Sequence, residues 1–224
     1  GDSRCNSRSG WLREGQTRTM IARRGLLALG LLPILPRPAH AGGQIEEPLA
    51  DSVRSALSGA IANDAPPRPV FDTIEDRLAY LGWLGAASEQ LKRREAEHQT
   101  RVEFLETLWY ETKRAGLEPS LVLGLVQVES GFRKYVVSSA GARGYMQVMP
   151  FWARLIGDGN ASRLFHMQTN LRFGCVILRH YLDVERGNLF MALGRYNGSR
   201  GRSVYPDAVF AARRRWEIDV KRLG

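Results

Sequence analysis

The sequence predicts an all-α fold. Three observations carry that prediction. From Phe71 onward apolar residues recur at helical spacing with almost no strand-like alternation, each periodic segment is bounded by Gly, Asn or Pro, and the connections are short with no internal repeat. The 224-residue chain is 44% hydrophobic and 25% charged, as an ordinary globular domain is, which excludes intrinsic disorder, collagen and a disulfide scaffold.

Taken in order, Thr73 followed by Asp76 is a loose capping box that opens a helix with Leu78, Leu81, Leu84 and Leu91 as its stripe, ending near His98. A second helix runs from about Thr100 to Ala115 on Phe104, Leu105, Leu108 and Trp109, and Gly116 stops it. A third starts after Pro119 and ends at Gly131. Later helices are expected at Phe151 to Ile156, Thr169 to Glu185, Leu189 to Arg195 and Val204 to Trp216. Cys175 shares a stripe with Leu171, Leu178 and Leu182 and reads as a buried apolar residue.

Ahead of this unit the composition changes. Residues 1–19 carry no periodic pattern and read as an upstream-start or non-native segment. Met20 opens a stretch with Arg23 and Arg24, an apolar run from Gly25 to Leu35, and small residues at Ala39 and Ala41. These are the parts of a signal peptide over 20–41, cleaved after Ala41. The run is too short to span a bilayer, which needs about 20 apolar residues. The arginine pair suits the Sec and the twin-arginine routes equally. No cysteine lies near the cleavage point, so no stable membrane anchor is expected. Residues 42–70, rich in Ala, Pro, Gly and Ser, read as an extended or mobile linker with a weak helix near Ala50 to Asn63. The domain is then 71–224, with N-terminal helices over 71–116 and a core over 117–216.

The charge of +9 raises nucleic acid as a partner. Residues 1–41 hold seven arginines and two acids, however, and without them 25 basic side chains face 21 acidic ones. The densest basic run, Arg213-Arg214-Arg215, reads as a solvated helix end where the dipole favours cations. No nucleic-acid partner is expected. His98, His166 and His180 lack metal-ligand spacing, so neither a metal nor a cofactor is expected.

One acid stands out. Val122, Leu125 and Val126 lie seven, four and three residues before Glu129, which puts a carboxylate on the apolar face of the third helix, in its last turn. Burial and the carbonyl end of the helix dipole both raise its pKa, the condition for a general acid. A glutamate that simply reaches water from a helix end has the same spacing. Downstream, Ser138-Ser139-Ala140-Gly141-Ala142-Arg143-Gly144 is a small-residue loop, followed by Tyr145-Met146-Gln147-Val148-Met149-Pro150. That strip suits a sugar groove or plain core.

Glu129-Ser130, Ser138, the Gly141 to Pro150 block and Arg195-Tyr196-Asn197-Gly198 together resemble the catalytic domain of the soluble-type (SLT) lytic transglycosylases, over roughly Leu117 to Val209. The resemblance implies a compact, goose-type lysozyme-like fold with Glu129 as single acid and base. It also implies that Ser138, Gln147, Met149 and Tyr196 line the groove, with Asn197 fixing the Tyr196 turn. Three departures bear on subsite shape: Tyr145 stands where the family usually has leucine, Gly198-Ser199 replaces Ala-Gly, and the Asn-Pro after Glu-Ser is absent.

The implied reaction is cleavage of the β-1,4 bond between N-acetylmuramic acid and N-acetylglucosamine in peptidoglycan glycan strands, closing a 1,6-anhydro ring. A substrate nucleophile removes the need for the second carboxylate that most glycosidases carry. The expected setting is the periplasm, as a monomer, with envelope or secretion-assembly proteins as further partners. Two other readings use the same residues: a hydrolytic goose-type lysozyme with water as nucleophile, and a non-catalytic wall-binding protein of an envelope assembly.

Overall fold

The computed structural model describes residues 43–62 and 69–219, all in one unit. The segment 1–19, the signal peptide over 20–41 with its cleavage point, Cys5 and the Pro66-Pro67-Arg68 part of the linker lie outside the described residues. Among the described residues the fold is all-α: α1 (Asp51–Ala62), α2 (Ile74–Leu91), α3 (His98–Arg114), α4 (Pro119–Glu129), α5 (Pro150–Ile156), a 3-10 turn (Ala161–Phe165), α6 (Met167–Val184), α7 (Leu189–Asn197) and α8 (Val204–Arg215). None of these helices is long and apolar enough to cross a membrane.

The α2 capping box forms as expected: Thr73 Oγ1 accepts from the Asp76 amide at 3.0 Å and donates to Asp76 Oδ2 at 2.8 Å. The buried stripe differs from the leucine stripe. Tyr80, Trp83, Ala87 and Leu91 face inward, while Leu78 and Leu81 are exposed. The aromatic face wins because it meets Trp109 of α3, with ring centroids at 5.1 Å for Tyr80 and 4.7 Å for Trp83. The helix also stops at Leu91, short of His98. Arg101 binds the carbonyls of Glu95 and Ala96, both at 2.9 Å, which fixes the connection outside helical geometry. Glu97 then caps α3 by accepting from the amides of Gln99 and Thr100.

Residues 43–62, where composition predicts an extended or mobile linker, lie against the helical unit. Leu49, Leu57 and Ile61 pack on the core, and the last carbonyls of α1 are taken by arginines. Arg114 donates to Ala60 O, and Arg172 Nη1 donates to Ile61 O at 3.3 Å. Arg172 is held in turn by the buried Glu111, at 2.9 Å. Cys175 is a buried free thiol.

α4 and α8 pack against each other. The crossing is close because Gly124 has no side chain: a Cβ there would stand 2.6 Å from the Arg213 amide nitrogen. That contact sets the first turn of α8 beside the last turn of α4.

Candidate active site

Glu129 ends α4 and is 5% exposed. Burial pushes its carboxyl up to about 8, against a smaller opposing pull from the Tyr205 hydroxyl. Tyr205 Oη donates to Glu129 Oε1 at 2.5 Å, and Oε2 has no hydrogen-bond partner among the described residues. The carboxyl is therefore asymmetric: one oxygen is anchored by a phenol, the other is buried without a partner among the described residues. In the neutral acid the proton belongs on the unpartnered oxygen, because Oε1 is already accepting one.

Sequence reasoning did not single out Tyr205. The signal was present, since Tyr205, Val209, Ala212 and Trp216 form one buried stripe that begins with a hydroxyl. Tyr196 is also fully buried and donates to Met146 O at 2.8 Å. Burial raises the pKa of both tyrosines, and the negative charge of Glu129 raises both further. The two phenols and the acid thus form one electrostatic cluster from α4, α7 and α8.

The loop from Phe132 to Met149 supplies the remaining expected residues. It is folded by two isolated bridges, Val137 to Arg143 and Arg143 to Val148. Ser138 closes its tip: Oγ accepts from the Ala142 amide at 3.0 Å. Asn170 of α6 anchors its base, accepting from Met146 N at 2.7 Å and donating to Arg143 O at 2.8 Å and Leu164 O at 2.7 Å. Asn170 is fully buried and was invisible to motif reading.

Gln147 is fully buried with a φ of 48°, in the left-handed region that a side chain seldom adopts. Its Nε2 holds that conformation by donating to Val136 O at 3.1 Å and Gly144 O at 2.9 Å. Both partners are carbonyls, which fixes the amide's orientation. The donors are therefore spent on the loop, and the buried acceptor Oε1 has no partner among the described residues. Met149 is half-buried at the N-cap of α5. Asn197 ends α7, donates to Ser199 Oγ at 3.0 Å, and leaves a buried Oδ1 without a partner among the described residues.

Other carboxylates are engaged elsewhere. Asp158 pairs with Arg163, Asp183 with Arg179, and Glu185 with Arg195 and Arg200, which hold Glu185 down at about 2. Asp207 is exposed. Among the described residues no group of three His, Cys, Asp or Glu is placed to hold a metal ion. A cavity of about 1010 Å³ opens between Phe71, Tyr80, Trp83, Trp109 and Trp216, and Glu129 does not line it.

Residues 107–209, which contain every expected site residue, match the family described as Transglycosylase SLT domain. The chain is 32% identical to the membrane-bound lytic murein transglycosylase C of Actinobacillus pleuropneumoniae serotype 5b, over 68% of its own length and 43% of that protein's. It is 38% identical to the transglycosylase of Enterobacteria phage PRD1, over 40% of its length and 34% of the phage protein's. The chain thus spans less than half the length of these relatives. An X-ray structure of an inactive mutant of the lytic transglycosylase Slt from Pseudomonas aeruginosa is similar at a TM-score of 0.40 and 24% identity, over 63% of this chain and 27% of that one. The segment that carries Glu129, the Gln147 loop, Tyr196 and Tyr205 is a transglycosylase SLT domain.

Proposed function

We propose that this protein is a peptidoglycan lytic transglycosylase that cleaves the β-1,4 bond between N-acetylmuramic acid and N-acetylglucosamine with formation of 1,6-anhydro-N-acetylmuramic acid. The observation that carries the reading is Glu129: a buried carboxyl pushed up to about 8, anchored on one oxygen and unpartnered on the other, inside an SLT domain.

At neutral pH this acid holds its proton. It passes the proton from Oε2 to the glycosidic oxygen as the bond from that oxygen to C1 breaks. The resulting carboxylate, steadied by the Tyr205 hydroxyl, takes the proton of the muramoyl 6-hydroxyl as that oxygen bonds to C1. The carboxyl is thereby restored, and no second carboxylate is required. Ser138, Met149 and Asn197, which are partly exposed, line the glycan groove, and the fully buried Gln147 and Tyr196 support it from behind by fixing the loop and Met146.

The helical domain is residues 71–224 with its core over 117–216, joined by residues 43–62 that pack on it, and is delivered to the periplasm by a signal peptide over 20–41 through the Sec or twin-arginine route. Peptidoglycan strands are its substrate, it acts as a monomer, and envelope or secretion-assembly proteins are its further partners.

Mass spectrometry of sacculi treated with the protein tests the reaction. Anhydro products, one water lighter than reducing ends and absent with Glu129→Gln, are expected. Reducing ends would instead assign a hydrolytic lysozyme, and binding without cleavage a wall-binding protein.

A further inference from the structure

A segment far from every site motif reaches into the site. Gln44 precedes α1, yet its side chain is 4% exposed. Its Oε1 accepts from Trp152 Nε1 at 3.0 Å and from the Met149 amide at 3.3 Å. The second bond matters because Met149 is the N-cap of α5, no side chain within that helix caps it, and Pro150 has no N–H to offer. The Gln44 amide also lies beside the Tyr196 hydroxyl, where it favours the ionised form, although Nε2 has no hydrogen bond of good geometry among the described residues.

The segment is fastened on both sides. The Gly43 amide donates to Asn197 O at 3.2 Å, Glu46 pairs with Arg154 at 3.4 Å and Glu47 with Arg195 at 2.6 Å. Gly198, at the C-cap of α7, is what admits it: a Cβ there would stand 1.9 Å from the Gly43 carbonyl oxygen. Two groove residues of the proposed function, Met149 and Asn197, are thus bound to one short stretch of chain ahead of the helical domain.

We infer that Gln44 is a positioning residue of this active site, seated on Met149 and Trp152 at the α5 start while its neighbour Gly43 is bound to Asn197 at the end of α7, so that residues 43–47 complete the site that α4, α7 and α8 begin. The inference rests on the proposed transglycosylase reading for its catalytic consequence. Its structural consequence stands apart from that reading. Asn197 follows Tyr196, whose hydroxyl is bound to Met146 O at 2.8 Å, and loosening that joint admits water to the Glu129 carboxyl, whose pKa is raised by burial.

The test uses the full chain with Gln44→Ala and, as a second route that leaves Gln44 in place, Gly198→Ala. Turnover on sacculi, melting temperature and the Glu129 titration by carboxyl carbon NMR are measured for each. Gln44→Ala should lower kcat roughly tenfold with KM changed by less than about threefold. Its melting temperature should drop by no more than a few degrees, and the Glu129 midpoint should move down by about one unit. Gly198→Ala should shift kcat and the Glu129 midpoint in the same directions, and it carries the test if Gln44→Ala does not fold. Unchanged turnover with an unmoved Glu129 midpoint overturns the inference, as does a loss of turnover that only follows the unfolded fraction. If the unaltered protein cuts no glycan, the functional reading falls instead, and an unmoved Glu129 midpoint in both variants then overturns the positioning role by itself.

Discussion

The Tyr205 hydroxyl and the Glu129 carboxyl, 76 residues apart in sequence, meet at 2.5 Å in the interior of the domain. The phenol donates to one oxygen, which decides both where the acid's proton sits and how strongly the acid holds it. Of the influences on the Glu129 pKa, burial raises it and this hydrogen bond lowers it.

Tyr205→Phe removes the lowering influence and leaves the burial. The Glu129 pKa should therefore rise above about 8. In the proposed reaction the neutral acid is the proton donor, so the alkaline limb of kcat/KM should move to higher pH. Turnover at pH 7 should fall by roughly tenfold as the carboxyl loses its anchor. A pH–rate profile on sacculi reads both, and an alkaline limb displaced to lower pH would contradict the assignment.

Glu129→Gln should abolish cleavage and stabilise the fold in alkali. The folded pKa, about 8, lies above the ordinary 4.5, so between these values the folded state keeps a proton that the unfolded chain has released. Stability from this group is complete below about 4.5 and is lost as pH rises through about 8. The amide still accepts from Tyr205 and does not titrate. At pH 8 the variant should be more stable by about 2–5 kcal/mol, and at pH 4 nearly the same. Urea melts at the two pH values measure the difference.

Asn170→Leu should unmake the loop without touching the acid. It strips partners from Met146 N, Arg143 O and Leu164 O at a fully buried position. The expected loss of stability is about 3 kcal/mol or more, with reduced glycan cleavage even under conditions where the chain stays folded. Denaturant titration at fixed temperature checks the first part, and equal stability would show that the loop is held by other contacts.

Arg172→Met should destabilise by about 3 kcal/mol, because it removes the nearer cation of the buried Glu111 and leaves it with Arg114 at 3.5 Å. Adding Glu111→Leu should recover much of that loss, since removing both charges also removes the desolvation penalty. The same double variant should leave the C-terminal end of α1 freer, read as faster amide exchange near Ile61, whose carbonyl Arg172 binds.

The helices were legible because they rest on short-range chemistry. The Thr73–Asp76 box, Pro119 and Pro150 at helix starts and Gly116 at a stop each act within one turn. The α2 stripe was misjudged because leucine spacing alone does not reveal that Trp109 waits on α3 for an aromatic face. Glu129 was visible for a related reason: a lone acid on an apolar stripe is a local anomaly. Asn170 and Gln44 break no local pattern, and Tyr205 shows only as a hydroxyl at the head of an apolar stripe, because each acts on a partner at least 24 residues away that local spacing does not name. The linker reading failed to foresee the Gln44 contacts because composition speaks of chain stiffness and is silent on a single buried amide.

The crossing of α4 and α8 at Gly124 ties chemistry to the completion of folding. A chain that has built α4 but has not yet docked α8 exposes Glu129 to water, as an ordinary carboxylate with its proton already lost at neutral pH. Such a chain has the right residue in the wrong charge state and is inert as an acid. Only when the last helix closes over the site does the interior become dry enough to return the proton. On the proposed function, an acid that holds its proton only with α8 docked on α4 cuts nothing in a chain whose site has not yet formed.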